Sequence, residues 1–239
     1  MLLVLIVFPC GISLEKHYIE LKVNGTGYQQ ILSNEFTGKE PSAVYVNNEV
    51  QMLRERKVYV ESTKYIIKIY WNELITNFTY MFSNVINITS AKMYYISGNN
   101  CNLSYMFYNC KKLNEFNYIN YYNYSYLVND TIGMFYNCSS LTTFSFDNLY
   151  MDKYYYYSLN YNPSYHYRNI SYMFYNCQSL KNISCSNSIN YISDMRGMFY
   201  NCISLTSINL NNFKTTNVLY VNLSYMFYNC QNLENVNFD

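Results

Sequence analysis

Apolar residues follow two patterns along this chain, and one gives way to the other near residue 76. From Leu14 to Thr76 the pattern is alternation. Ile19-Glu20-Leu21-Lys22-Val23 places an apolar residue at every second position and stops at Asn24-Gly25. Val44 to Val50, Lys57 to Val60 and Tyr65 to Trp71 come next, separated by polar breaks. A period of two is that of a strand with one buried face. Residues 14–76 are therefore expected to form a small antiparallel β-element of about four strands. Its expected role is to cap the C-terminal part of the chain, because an independent domain of about sixty residues with no disulfide pair folds only marginally.

From Asn77 to Asp239 the period is much longer. Met-Phe-Tyr-Asn-Cys recurs at Met106–Cys110, Met134–Cys138, Met173–Cys177, Met198–Cys202 and Met226–Cys230, after a decayed copy at Met81–Val85. Successive methionines are 25, 28, 39, 25 and 28 residues apart. After each cysteine comes a leucine and then two apolar positions in alternation. Cys110 leads to Leu113, Phe116 and Tyr118; Cys138 to Leu141, Phe144 and Phe146; Cys177 to Leu180, Ile183 and Cys185. Cys202 leads to Leu205, Ile208 and Leu210, and Cys230 to Leu233, Val236 and Phe238. The closing pair has strand periodicity. Three residues before most of the methionines stands another apolar residue (Phe78, Leu103, Ile170, Met195, Leu223), a spacing that predicts one short helical turn. One unit thus reads as a turn of helix, a corner and a short strand, and it buries its apolar side by stacking on its neighbours. The signature positions expected in the core are Met106, Phe107, Cys110, Leu113, Met134, Phe135, Cys138, Leu141, Met173, Phe174, Cys177, Leu180, Met198, Phe199, Cys202, Leu205, Met226, Phe227, Cys230 and Leu233.

This pattern, M-F-x-x-C-x-x-L-x-x-ϕ-x-ϕ, resembles the BspA-like leucine-rich repeats, including the repeat also found in surface lipoproteins of mycoplasmas. With the strand and helical-turn reading, the fold expected is an α/β leucine-rich-repeat-type solenoid of about six units, mainly short β-strands, behind a small N-terminal β cap. The resemblance implies a secreted or cell-surface protein that adheres to, or binds, a protein or glycan. It brings no shared catalytic residues.

The longest interval, between Cys138 and Met173, holds a Tyr-rich insertion near 150–168 that includes Tyr154 to Tyr157, Tyr161, Tyr165 and Tyr167. Insertions in a solenoid emerge on one face, often the binding face; a plain low-complexity loop is the other reading. At the N-terminus, Leu2 to Phe8 is an unbroken apolar run ended by Pro9, with Gly11-Ile12-Ser13 behind it. Residues 1–13 read as a signal peptide, although the basic start is missing. A lipoprotein site at Cys10 fits poorly beside bulky Phe8 and Pro9, and an uncleaved strand is the further alternative. No membrane span is expected, because the run is too short and no second one occurs. At the other end the repeats stop at Asn237-Phe238-Asp239 without a capping segment, an edge through which the molecule could self-associate.

Composition narrows the chemistry. Only 13% of residues are charged, and 32 tyrosines supply polarity instead. Tyr, Asn, Lys and Ile share AT-rich codons, which accounts for much of this profile. A net charge of +1 with no basic stripe argues against nucleic acid. The five signature cysteines share one repeat phase, where parallel side chains are poorly placed for bridging and read as buried thiols. Cys185 reads as core, and Cys101 fits no phase. Neither a zinc site nor another cofactor is expected, since Cys101 and Cys110 stand nine apart and the two histidines, His17 and His166, are remote. No nucleophile, phosphate-loop or paired-carboxylate pattern suggests an enzyme. Ten Asn-x-Ser/Thr triplets occur, of which Asn77, Asn102, Asn169 and Asn222 share one phase just before the signature. They read either as turn-capping residues copied with the repeat or as a row of N-glycan acceptors.

Overall fold

Alternation in the N-terminal part builds strands. They are β1 (Tyr18–Val23), β2 (Gly27–Gln30), β3 (Ala43–Val46), β4 (Glu49–Gln51), β5 (Lys57–Val60) and β6 (Ile66–Tyr70). A computed structural model describes residues 17–94, 97–119, 128–149, 167–215 and 218–238. The expected leader at 1–13, Cys10, His166 and the tyrosines of the insertion up to Tyr165 lie outside these described residues. What reads in sequence as one run, Val44 to Val50, is the tight hairpin β3–β4. Asn47 and Asn48 turn it with φ of 51° and 71°, the left-handed pair that a type I′ turn needs.

The repeats add two stacks of short parallel strands. One stack is β7 (Ile75–Asn77), β9 (Ser97–Asn102), β11 (Val128–Asp130), β13 (Arg168–Asn169) and β15 (Ile192–Asp194). The other holds the strands that come after each signature: β8 (Ile88–Tyr94), β10 (Glu115–Ile119), β12 (Thr143–Ser145), β14 (Asn182–Ser184), β16 (Ser207–Asn209) and β17 (Asn235–Asn237). β8 pairs in parallel with β10 on one side and antiparallel with β1 on the other. The six-stranded sheet β10-β8-β1-β6-β3-β4 therefore runs unbroken from the repeats into the N-terminal strands. One apolar cluster extends from Ile19, Leu21, Ile67 and Ile69 through the phenylalanines and methionines of every repeat.

The structure corrects the helical half of the α/β expectation. Among the described residues the sole helical segment is one turn of 3-10 helix, Phe146–Leu149. The signature is a chain of overlapping β-turns. In the first copy the Met81, Ser83 and Val85 N–H groups donate to the carbonyls of Phe78, Tyr80 and Phe82, each three residues back. The intervening N–H groups of Phe82 and Asn84 point away, to the carbonyls of Met106 and Tyr108 in the next coil, both at 2.8 Å. Tyr80 and Asn84 have φ of 58° and 60°. A left-handed residue at every fourth position stops helix propagation and suits the third place of a type II turn. The architecture is a β-solenoid of leucine-rich repeats.

Candidate binding surface

Each residue of the signature has one structural task. Met and Phe point inward: the Phe rings at 82, 107, 135, 174, 199 and 227 form one stack with centroids 5.2 to 5.7 Å apart. The Tyr beside them forms a second stack along the outside, Tyr108–Tyr136–Tyr175–Tyr200–Tyr228, at 4.4 to 5.0 Å. Asn takes the left-handed turn position in all six copies, with φ from 58° to 61°, and its amide continues the ladder. Asn109 donates to Asn84 at 2.8 Å, Asn137 to Asn109 and Asn176 to Asn137 at 2.6 Å each, Asn201 to Asn176, and Asn229 to Asn201 at 2.6 Å. The row begins on a carboxylate, where Asn84 Nδ2 donates to Glu35 Oε1 at 3.2 Å. Ser83 Oγ bonds Glu35 Oε2 at 2.7 Å, and the Ser33 N–H donates to the Met81 carbonyl at 2.8 Å.

The five signature cysteines are free thiols. Each Sγ donates to the carbonyl of the Phe one coil earlier, from Cys110 on Phe82 at 3.0 Å to Cys230 on Phe199 at 2.9 Å. Burial pushes the Cys110, Cys138, Cys177 and Cys202 thiols far above the usual thiol range. They are inert side chains of the core rather than nucleophiles. Cys101, which fits no phase in sequence, is fully buried in β9 with Sγ 3.9 Å from the Ile75 carbonyl. Cys185 is half-buried. Leu113, Leu141, Leu180 and Leu205 are fully buried. In the last coil Met226 is buried, whereas Phe227, Cys230 and Leu233 are only partly so.

The four in-phase asparagines act locally. The Oδ1 atoms of Asn77, Asn102, Asn169 and Asn222 accept the N–H of Thr79, Ser104, Ser171 and Ser224 at 2.8 to 3.0 Å. Asp194 holds the same place and accepts the Arg196 N–H at 3.0 Å. A turn-capping acceptor two residues ahead of its donor explains the choice of Asn or Asp at this phase.

A different position carries the anomaly. The residue just before each signature methionine is Tyr80, Tyr105, Gly133, Tyr172, Gly197 or Tyr225, and all six have φ between 54° and 58°. Glycine adopts this backbone freely, whereas a bulky side chain there is a conformational outlier. The tyrosines are nevertheless kept, and two rest on the glycines of the next coil. A Cβ on Gly133 would lie 2.5 Å from the Tyr105 ring, and one on Gly197 would lie 2.6 Å from the Tyr172 ring. Tyr80 stacks on Tyr105 at 5.1 Å, and the Arg196 guanidinium lies 5.9 Å from the Tyr172 ring. Tyr105 and Tyr172 also meet their signature tyrosines, Tyr108 and Tyr175, edge-on at 6.1 Å. Burial, with neighbouring tyrosines, raises the Tyr105 hydroxyl above the ordinary phenol value, and that of Tyr136 to about 12. The exchange of Tyr for Gly at one phase is visible in the sequence but its meaning is not, since φ does not show there.

Comparison with known families bears on the same segments. The model for the BspA type leucine rich repeat region (6 copies) matches residues 165–239, and that for a Mycoplasma protein of unknown function, DUF285, matches residues 47–155. The chain belongs to the BspA-like leucine-rich repeat family. Repeats of this family are typical of surface proteins involved in adhesion or binding, and their solenoid is typically a non-catalytic scaffold. Searches of curated proteins and of solved structures each gave no match. Among the described residues no helix is long and apolar enough to cross a membrane. His17 stands immediately before β1, and the insertion contributes only Tyr167 and Arg168 to the described residues.

Proposed function

We propose that the chain is a non-catalytic secreted or cell-surface protein that binds or adheres to another macromolecule, a protein or a glycan, through the outer surface of its coil. Residues 14–76 serve as the cap of the first coil, with Ser33 and Glu35 ending the backbone and asparagine ladders. Residues 1–13 serve as the leader. One observation carries the binding role: Tyr80, Tyr105, Tyr172 and Tyr225 sit in left-handed backbone at a place where two sister repeats use glycine. Strain retained on a surface points to a use other than folding, and Tyr offers large contact area at low rotamer cost.

That contrast also supplies the test. Changing Tyr105→Gly and Tyr172→Gly together is expected to leave the melting temperature within a few degrees, as relieved strain offsets lost ring contacts. Capture of the partner from cell or matrix extracts by the purified chain is expected to drop at least tenfold. Unchanged capture by the double variant would move the contact away from this edge. A self-associating surface coat is the second reading. Light scattering across protein concentration separates the two, because a strictly monomeric chain excludes the coat.

A further inference from the structure

The strand face after the signature is chemically unlike the tyrosine edge. In β12, β14, β16 and β17, Phe144, Ile183, Ile208 and Val236 turn inward. The outward residues pair in register: Thr143 with Asn182, Ser145 with Ser184, Ser207 with Asn235, and Asn209 with Asn237. β14 lies beside β16, so the two pairs continue one another. All eight outward positions are Ser, Thr or Asn. Seven are exposed and Ser145 is half-buried. Three charges flank the face: the Asp147 carboxylate, held at the end of β12 by Ser145 Oγ at 3.2 Å and by the Ser186 and Asn187 N–H groups, and Lys181 and Glu234, of opposite sign, one residue before β14 and β17.

Codon bias does not produce this face. Lys shares the AT-rich codons of Asn, and the same outward surface carries Lys22, Lys68 and Lys92 with Glu20 and Glu115 on β1, β6, β8 and β10. From β12 onward those charges are gone. Tyr, Trp, Met and Arg, the residues that anchor protein partners, are missing from the eight positions as well. What is left is a field of uncharged donors and acceptors. Its rows are about 4.8 Å apart within each of the pairs β12–β14 and β16–β17 and about 7 Å apart along the strands.

We propose that this face binds an extended neutral polysaccharide. Hydroxyl-rich, uncharged and itself periodic, such a chain exchanges its water for amide and hydroxyl groups one for one. An anionic polymer finds no counter-charge on the face. Without aromatic platforms each contact is weak, and affinity accumulates along the polymer. The site is separate from the tyrosine edge and does not depend on it.

The experiment is affinity electrophoresis of the full chain in native gels containing hydroxyethylcellulose, galactomannan or heparin. Mobility is expected to fall at least twofold in one or both neutral polymers and to stay unchanged in heparin. The variant Asn182→Ala, Ser184→Ala, Asn209→Ala, Asn235→Ala is expected to run at full speed in all three, with its near-ultraviolet tyrosine spectrum unaltered. Should that spectrum change, Asn182→Ala alone, expected to restore part of the mobility, makes the same test. Tyr105→Gly with Tyr172→Gly is expected to be retarded like the parent. The proposal is overturned by full mobility of the parent chain in both neutral polymers, by equal retardation in heparin, or by retardation that survives the alanine changes in a folded variant.

Discussion

Above about pH 8.5 the protein is expected to lose stability steeply, and under reducing conditions to unfold near pH 10 to 11. The cause is the row of buried thiols. Cys110, Cys138, Cys177 and Cys202 are fully buried, and burial raises their pKa well above that of a free thiol. In the unfolded chain the same groups ionise near pH 8.5. The folded value is the higher one, so their full stabilisation is present below the unfolded value. It is lost as pH rises toward the folded value, because the unfolded chain releases protons that the folded one keeps. The slope is about 1.4 kcal/mol per pH unit for each thiol. Acting together, four thiols approach the ~5–15 kcal/mol that holds a typical domain within about two pH units. Tyr136, with its hydroxyl raised to about 12, acts in the same direction above pH 10. Denaturant midpoints recorded from pH 7 to 10 measure the slope, and Cys138→Ala should reduce it by one thiol's share. A midpoint flat to pH 10 would mean that the thiols are not buried.

Phe135→Ala is expected to be the most damaging single core change, costing about 3–5 kcal/mol from the lost side chain and its cavity. The Phe135 ring lies between Phe107 and Phe174 at 5.6 and 5.7 Å, nearly parallel to both. Phe116 and Phe144 meet it edge-on at 5.3 and 5.2 Å. Each such pair adds about 0.5–1.5 kcal/mol beyond area burial. The site also lies mid-array, where each coil contacts only its neighbours. The cavity therefore weakens the junctions on both sides and is expected to broaden the unfolding transition. Guanidinium titration reads both effects. A loss under 1 kcal/mol with an unchanged transition slope would show that the Phe stack is not what joins the coils.

The inward half of each repeat was legible in the sequence because burial imposes a spacing. Met106, Phe107, Cys110 and Leu113 repeat in phase, and all four are fully buried. The N-terminal strands were legible for the same reason, since Ile19, Leu21 and Val23 alternate with polar neighbours. Helix and turn were not separable, because Phe78 and Met81 are three apart in either. The deciding fact is the backbone of Tyr80 and Asn84: Asn tolerates a positive φ without requiring one, and Tyr gives no such signal. The signature Asn repeats in phase as well, but only the structure shows its amide carrying a ladder along the coil. β11, β13 and β15 are two or three residues long, too short to show a period. The binding surface was the least legible part. Exposed positions vary between copies, and only register brings Thr143 beside Asn182 or Tyr105 over Gly133.

The signature is a hydrogen-bonded seam between coils rather than a helix or a recognition motif. Native-state hydrogen exchange at Phe82, Asn84, Phe107, Asn109, Phe135, Asn137, Phe174 and Asn176 tests this directly, because each of these N–H groups donates to the following coil. The seam predicts slow exchange at all eight, with one opening free energy equal to that of global unfolding. Exchange at these amides as fast as at the exposed loop amides of Lys112 and Gln178 would contradict it.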